Sequence, residues 1–504
     1  MRQASWGPRA RRPRWIALVL VLLLTTTACS TTLARQPAAV STKAPLELAV
    51  WVGPSPTLHP HQANPQVTAA LFSPLVVIDP ESRLPTWGPD VPGALLESVS
   101  SEDLRRWDVV VKEGWTWHDG TPVVAEDVAR GWQAAIEAGL PIVSTVTDIR
   151  VRDKATLSFA LAAPYGQLPA LLANEAFLPL PPMAIDDPAR FAEAPVGNGV
   201  YRLAGRQGDA LVLDAVSGHP AGTAASDRLL AVRTDQPAAD QQLVVVPDGV
   251  LALPGDADRP HVVRAPGRQL AYLGFPLTDP RFADPDVRVA LSQAIDRQAL
   301  VELLPEGAVV PADRLLGPGM ARSDGPVCTA CVHDPDRAAE LWSAPDGPLS
   351  LWYAADAGHD EVIDAIAGAW STVLGVDDIQ LATLPAEDLL ARLAEAEVPG
   401  PFRLTWAADA ASPSRLLEPL FGPRGSANDF RYRADGIGDL LATADLQRDL
   451  EEALDAYATV EQQVLDDLPL VPLWFSTVGV AMDENITAGM DGRGLLDWAS
   501  VERS

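Results

Sequence analysis

The chain has 504 residues, of which 47% are hydrophobic and 21% charged, and its formal net charge is -29. That length and composition suit a globular protein of roughly two to four domain-sized units. No Lys-rich or Arg-rich patch follows the first fifteen residues. Nucleic acid is therefore excluded as a partner, because phosphate binding needs clustered basic groups.

The first element is a leader. Arg2, Arg9, Arg11, Arg12 and Arg14 precede an unbroken apolar run over 15–24, and then come Thr25, Thr26, Thr27, Ala28 and Cys29. A basic start, a short apolar run and small residues make a secretory signal over 1–28. The run is too short to span a membrane, which takes about twenty apolar residues. Ala28-Cys29 resembles the end of a bacterial lipobox, which predicts lipidation of Cys29. Thr26 stands where that box carries Leu. Residues 29–44 are small and polar and read as a flexible tether. Cleavage removes five of the 38 basic residues and none of the 67 acidic ones, so the exported chain is more acidic still.

Alternating β-branched and aromatic residues predict strands over 46–52, 106–112, 157–163, 349–354, 379–384 and 402–407. A further strand over 470–481 is expected in one piece or two. Asp284-Pro285 supplies an N-cap and a first-turn Pro. Beyond it Val287, Leu291, Ala294 and Ile295 recur at helical spacing, with Arg288, Gln293, Asp296 and Arg297 on the polar face. Asp334-Pro335 repeats that start signal. A helix over 360–374 ends at Gly375, a C-cap, and 445–467 reads as one long amphipathic helix. Strands alternating with helices predict an α/β fold. Pro/Gly-rich boundaries near 80–93, 179–199, 253–268 and 311–327 separate lobes. The late strand resembles the early segments in composition, which points to a lobe built from both ends of the chain.

Cys328 and Cys331 form a CxxC in a Gly/Pro-rich stretch. In an oxidising compartment this reads as a local disulfide. A redox-active pair would sit at a helix start after a strand, and a zinc site using His333 lacks a second ligand pair. The closest histidines, His59 and His61, lie in a Pro-rich loop and read as solvated. No GxSxG, HExxH, P-loop or GxGxxG is present. The expectation is a protein that is no enzyme and carries no cofactor and no metal.

The segment 110–128 (VVKEGWTWHDGTPVVAEDV) reads as a strand, a turn at His118-Asp119-Gly120 and a helix start with Glu126 and Asp127 in its first turn. The same residues closely resemble the signature of the family 5 extracellular solute-binding proteins. Trp117 takes the aromatic place, followed by His118 to Pro122 and Ala125 to Val128. Segments 195–201 (PVGNGVY), 284–300, 334–341 and 468–475 (LPLVPLWF) resemble further family motifs in the family's order. The resemblance covers residues 45 to 500. It implies a two-lobed periplasmic-binding-protein-like fold (type II, cluster C) with an extra N-terminal subdomain. Lobe I would comprise 45–80, 190–275 and 472–504, the subdomain 81–189, and the other lobe 276–471. Solute would be held between the lobes by hinge closure.

The resemblance further implies a monomer, lipid-anchored at the outer face of the cell membrane, which passes peptides or related solutes to an ABC permease and its ATPase. Receptors for nickel chelates, opines or sugars share the fold, and a transport-inactive regulatory envelope lipoprotein of the same fold is the remaining alternative. Phe275 stands in a strand where relatives have Asn, and it cannot make that Asn's hydrogen bonds.

Residues 403–413 (RLTWAADAASP) resemble the stretch of oligopeptide binders in which an aspartate accepts the ligand's ammonium and a tryptophan lines the cleft. Asp409 and Trp406 occupy those places. Arg403 matches a basic residue that meets a ligand carboxylate in a forked geometry. A closed cleft excludes water, so a charged ligand end needs a fixed opposite charge. From the residues alone, Asp409 also reads as a turn former and Trp406 as core. Ser412-Pro413 is the better helix start. Ala410 is small where peptide binders place a larger residue, which predicts a wider pocket.

Overall fold

The computed structural model describes residues 48–238, 241–247, 260–322, 324–344, 347–355 and 359–504. The signal, Cys29, the tether and the early part of the 253–268 boundary lie outside the described residues.

Two long antiparallel strands, His261–Gly274 and Leu470–Met482, organise the molecule. The second is a single 13-residue strand, buried throughout. It reads as a near-continuous apolar run because both of its faces are covered. Register slips between Pro266 and Leu270 of the first strand. Pro266 has no N–H to give the ladder, and a bulge bends the strand where it occurs. On one side of this bend the pair continues through Leu243–Val246, Leu48–Trp51, Arg228–Val232, Ala210–Ala215 and Tyr201–Gln207. On the other it continues through Phe402–Ala407, Leu349–Ala354 and Ile379–Leu384, the last three mutually parallel. With Val309–Pro311 on the side, these make one eleven-stranded sheet. The fold is thus mixed α/β.

Among the described residues two buried apolar clusters flank the bend. One joins Leu48 and Val50 to Val480, Trp498 and Val501, so it draws on both ends of the described chain. It also takes in a four-stranded antiparallel sheet, Leu96–Ser101, Arg106–Val111, Thr156–Leu161 and Val146–Val151, with the helix Ala125–Glu137. The other cluster gathers Leu270, Trp370, Leu417, Tyr457 and Trp474.

Helix ends follow local cap chemistry, and here the sequence expectations need two corrections. The helix after Asp284 runs only Pro285–Gln293. Asp296 does not extend its polar face. Its carboxylate accepts the N–H groups of Gln298 and Ala299 at 3.0 and 3.1 Å, starting a second helix, Arg297–Val301. Residues 445–467 are likewise two helices. Asp445 ends Ile437–Asp445, and Asp449 caps Leu450–Asp467. Asp360–Leu374 ends at Gly375 with φ of 67°, a left-handed cap that suits glycine. Cys328 and Cys331, both buried, are bonded through sulfur, with Cα atoms 5.1 Å apart. Among the described residues no helix is long and apolar enough to cross a membrane.

Candidate ligand-binding site

A cavity of about 260 Å³ opens where the crossing strands bend. Asn64, Gln66, Asn174, Glu175, Arg268, Asp409 and Arg493 are its polar lining. Arg268 sits in the bulge itself. Asn64 caps the helix Pro65–Leu71 and donates its amide to the Val52 carbonyl at 2.9 Å. Gln66 accepts the Leu496 N–H at 2.9 Å. Arg493 donates to Asp491 at 2.7 Å and to Glu175 at 3.3 Å, so the Glu175 charge is met within the protein.

Asp409 lies in the turn after the strand Phe402–Ala407. Its main-chain carbonyl accepts the Asn174 side-chain amide at 2.8 Å. Both of its carboxylate oxygens accept from one guanidinium, Arg415 Nε and Nη2, each at 2.7 Å. These hydrogen bonds, outweighing burial, hold Arg415 above its ordinary pKa. The Arg415 carbonyl accepts the Trp406 indole N–H at 3.2 Å. Trp406 is half-buried and does not line the cavity. Ser412 does not cap the following helix, Ser414–Phe421. Its hydroxyl is engaged with the Tyr165 hydroxyl at 2.6 Å.

Arg403 also stands away from the cavity lining. It is 5% exposed, with its guanidinium 5.1 Å from the centroid of the Trp474 ring. Its Nε and Nη2 have no hydrogen-bond partner among the described residues. Burial pulls it down to about 10. His359 meets the same Trp474 ring edge-on at 5.6 Å, and burial, then the Arg403 charge, lowers it to about 4. Phe275 is core, stacked on Phe282 at 6.1 Å, so its replacement of Asn does not reach the cavity.

The 110–128 segment is a structural clasp. The Trp117 indole donates to Asp127 at 3.0 Å, and Asp127 also accepts the Val124 N–H at 3.1 Å. His118 Nε2 lies 2.9 Å from the Gly199 carbonyl and so carries the proton. Gly120 turns with φ of 88°. Among the described residues no group of three or more His, Cys, Asp or Glu is placed to hold a metal ion. Sequence reasoning missed Arg415, Glu175, Arg268, Arg493 and His359. Of these only Arg415 carried a local signal, an arginine in the first turn of the helix that follows Asp409.

Two separately cored halves, joined by bent strands with a cavity of mixed apolar and charged lining at the bend, define the two-lobed class of solute-binding proteins. Residues 90–428 match the model for bacterial extracellular solute-binding proteins, family 5 Middle, and the chain belongs to that family. It is 24% identical over 497 residues to the glutathione-binding protein GsiB of Salmonella typhimurium strain LT2, covering 90% of this chain and 94% of that one. It is 24% identical over 440 residues to the periplasmic murein peptide-binding protein MppA of Escherichia coli K12, covering 78% and 81%. Among solved structures it resembles HbpA2 from Haemophilus parasuis, with TM-score 0.79, 18% identity and coverage of 91% and 100%. It also resembles the unliganded open form of MppA, with TM-score 0.76, 22% identity and coverage of 91% and 98%. The protein is a solute-binding protein that works outside the cytoplasm.

Proposed function

We propose that the protein captures a short peptide or peptide-like solute in the Asp409-lined cavity and delivers it to an ABC permease and its ATPase. The observation that carries this reading is the placement of Asp409 in a cavity at the bend of the crossing strands. At about 260 Å³ the cavity is slightly smaller than most small-molecule sites, which run from roughly 300 to 1,000 Å³. The relatives named for glutathione and murein peptide support the peptide class. Arg403 lies outside the lining of this cavity; its reading as the partner of a ligand carboxylate rests on the cost of a buried guanidinium whose Nε and Nη2 lack partners among the described residues, a cost that a forked carboxylate would relieve. Trp406 acts through Arg415.

The lobes are read as 45–80, 190–275 and 472–504 and as 276–471, with a subdomain over 81–189 that holds the four-stranded sheet; Leu270 and Trp474, on the first lobe's side of those bounds, pack in the second cluster. The bulge between Pro266 and Leu270 is the proposed hinge. The protein is read as a non-catalytic monomer, held at the outer face of the cell membrane by lipid on Cys29, with Cys328–Cys331 as its disulfide.

The test is to purify residues 30–504 without added ligand, release whatever co-purifies with denaturant, and identify it by mass spectrometry. The refolded protein is then titrated with di- to pentapeptide pools, beside Asp409→Asn. The expected result is a small peptide in the extract and peptide binding that weakens about tenfold in the variant. An empty extract with no response to any pool would sink the peptide reading in favour of a non-peptide solute or a regulatory lipoprotein.

A further inference from the structure

We propose that Arg415 sets the ligand class of the Asp409 cavity, so that it takes short peptides whose end at Asp409 is uncharged, N-acylated or lactam-closed, in preference to peptides with a free ammonium. This rests on the reading of that cavity as the peptide site. A bidentate guanidinium–carboxylate pair is among the stronger polar contacts a protein makes. Here both oxygens of Asp409 are engaged at 2.7 Å. Neither partner hangs loose. The Asp409 main chain is held by Asn174, and the Arg415 main chain by the Trp406 indole.

The second carboxylate among the described lining residues, Glu175, is met by Arg493. An entering ammonium therefore finds both lining carboxylates already paired. An ammonium at Asp409 would also stand close to the Arg415 guanidinium, and like charges brought together at a binding site cost affinity. A paired carboxylate still keeps lone pairs, since two oxygens offer about four acceptor positions and the fork uses two. Those remaining positions suit a neutral amide N–H. Ala410 and Ala411 border the same cavity with no bulk beyond a methyl group, which leaves room beside Asp409 for an acyl cap.

The test is calorimetric titration of ligand-stripped protein with one tripeptide pool prepared twice, with free amines and N-acetylated. In the wild-type chain the acetylated pool is expected to bind at least as tightly as the free-amine pool. Arg415→Gln leaves Asp409 unpaired, so the free-amine pool is expected to tighten about tenfold while the acetylated pool does not. The wild-type comparison decides the matter even where the variant folds poorly. Free-amine peptides that bind the wild type about tenfold more tightly than their acetylated counterparts overturn the role given to Arg415 and leave the peptide reading standing. Failure of both pools overturns the peptide reading and this proposal with it.

Discussion

The guanidinium carbon of Arg403 lies 5.1 Å from the centroid of the Trp474 ring, in a site where the arginine is 5% exposed. The ring face offers partial compensation for the buried charge. Nε and Nη2 still lack partners among the described residues. A buried cation in this state is a cost to the folded protein that a ligand carboxylate would remove.

Arg403→Met should therefore separate stability from binding. Met keeps an apolar, flexible stem against Trp474. Removing a poorly compensated buried charge is expected to leave stability unchanged or raise it by about 1 to 3 kcal/mol, while peptide affinity falls. Urea midpoints read beside calorimetric titration check both. A loss of stability together with unchanged affinity would show that Arg403 is a structural residue.

Gly166 tests how closely the two halves approach. Its N–H donates to the Asp445 carbonyl at 2.6 Å, and Gln167 donates to the Gln447 carbonyl at 3.0 Å. A Cβ on Gly166 would stand 1.9 Å from the Gln447 carbonyl oxygen. Backbone cannot yield that much locally, so Gly166→Ala is expected to push these segments apart. The expected cost is about 1 to 3 kcal/mol of stability. It should come with weaker ligand binding and a larger radius of gyration by small-angle scattering. An unchanged radius and affinity would mean the strain is absorbed within the loop.

The sequence made the strands 349–354, 379–384 and 402–407 legible because each is a short segment mixing β-branched, aromatic and polar residues between Gly, Pro or acidic turns, and the structure forms them over those residues. It misled where one residue type serves two roles. Asp296 and Asp449 suit a solvated helix face as well as a cap, and only the folded backbone shows them capping. The motif singles out Asp409, and the structure puts that residue in the cavity lining. Its fork with Arg415 depends on a turn closing over six positions, and the Arg493–Glu175 contact spans 318. No periodicity encodes either. Ser412 looked like a cap because nothing local announces the Tyr165 hydroxyl 247 positions away.

Reducing the Cys328–Cys331 bond should destabilise the protein only modestly. The closed loop is short, with a separation of 3, and chain-entropy arguments assign such a loop about 2 kcal/mol. Urea unfolding with and without dithiothreitol checks this. A much larger loss would mean that reduction also disturbs the buried packing around both sulfurs.

Glu461 gives the pH prediction. The side chain is fully buried, and one carboxylate oxygen accepts the N–H groups of Leu315 and Leu316 at 2.7 and 2.8 Å. The other has no partner among the described residues. Burial outweighs those two hydrogen bonds and raises the group from 4.5 to about 7. The folded state thus holds the proton more tightly than the unfolded chain. Between pH 4.5 and about 7 the unfolded chain ionises first, so stability falls as pH rises and the contribution is gone above the folded value. The full effect is of order 3 kcal/mol, from about two and a half pH units at about 1.4 kcal/mol each. Glu461→Gln keeps an acceptor for both N–H groups and cannot ionise. The difference in unfolding free energy between variant and wild type is expected to grow across that window in favour of the variant. A difference that stays flat with pH would show that Glu461 does not change its charge on unfolding there.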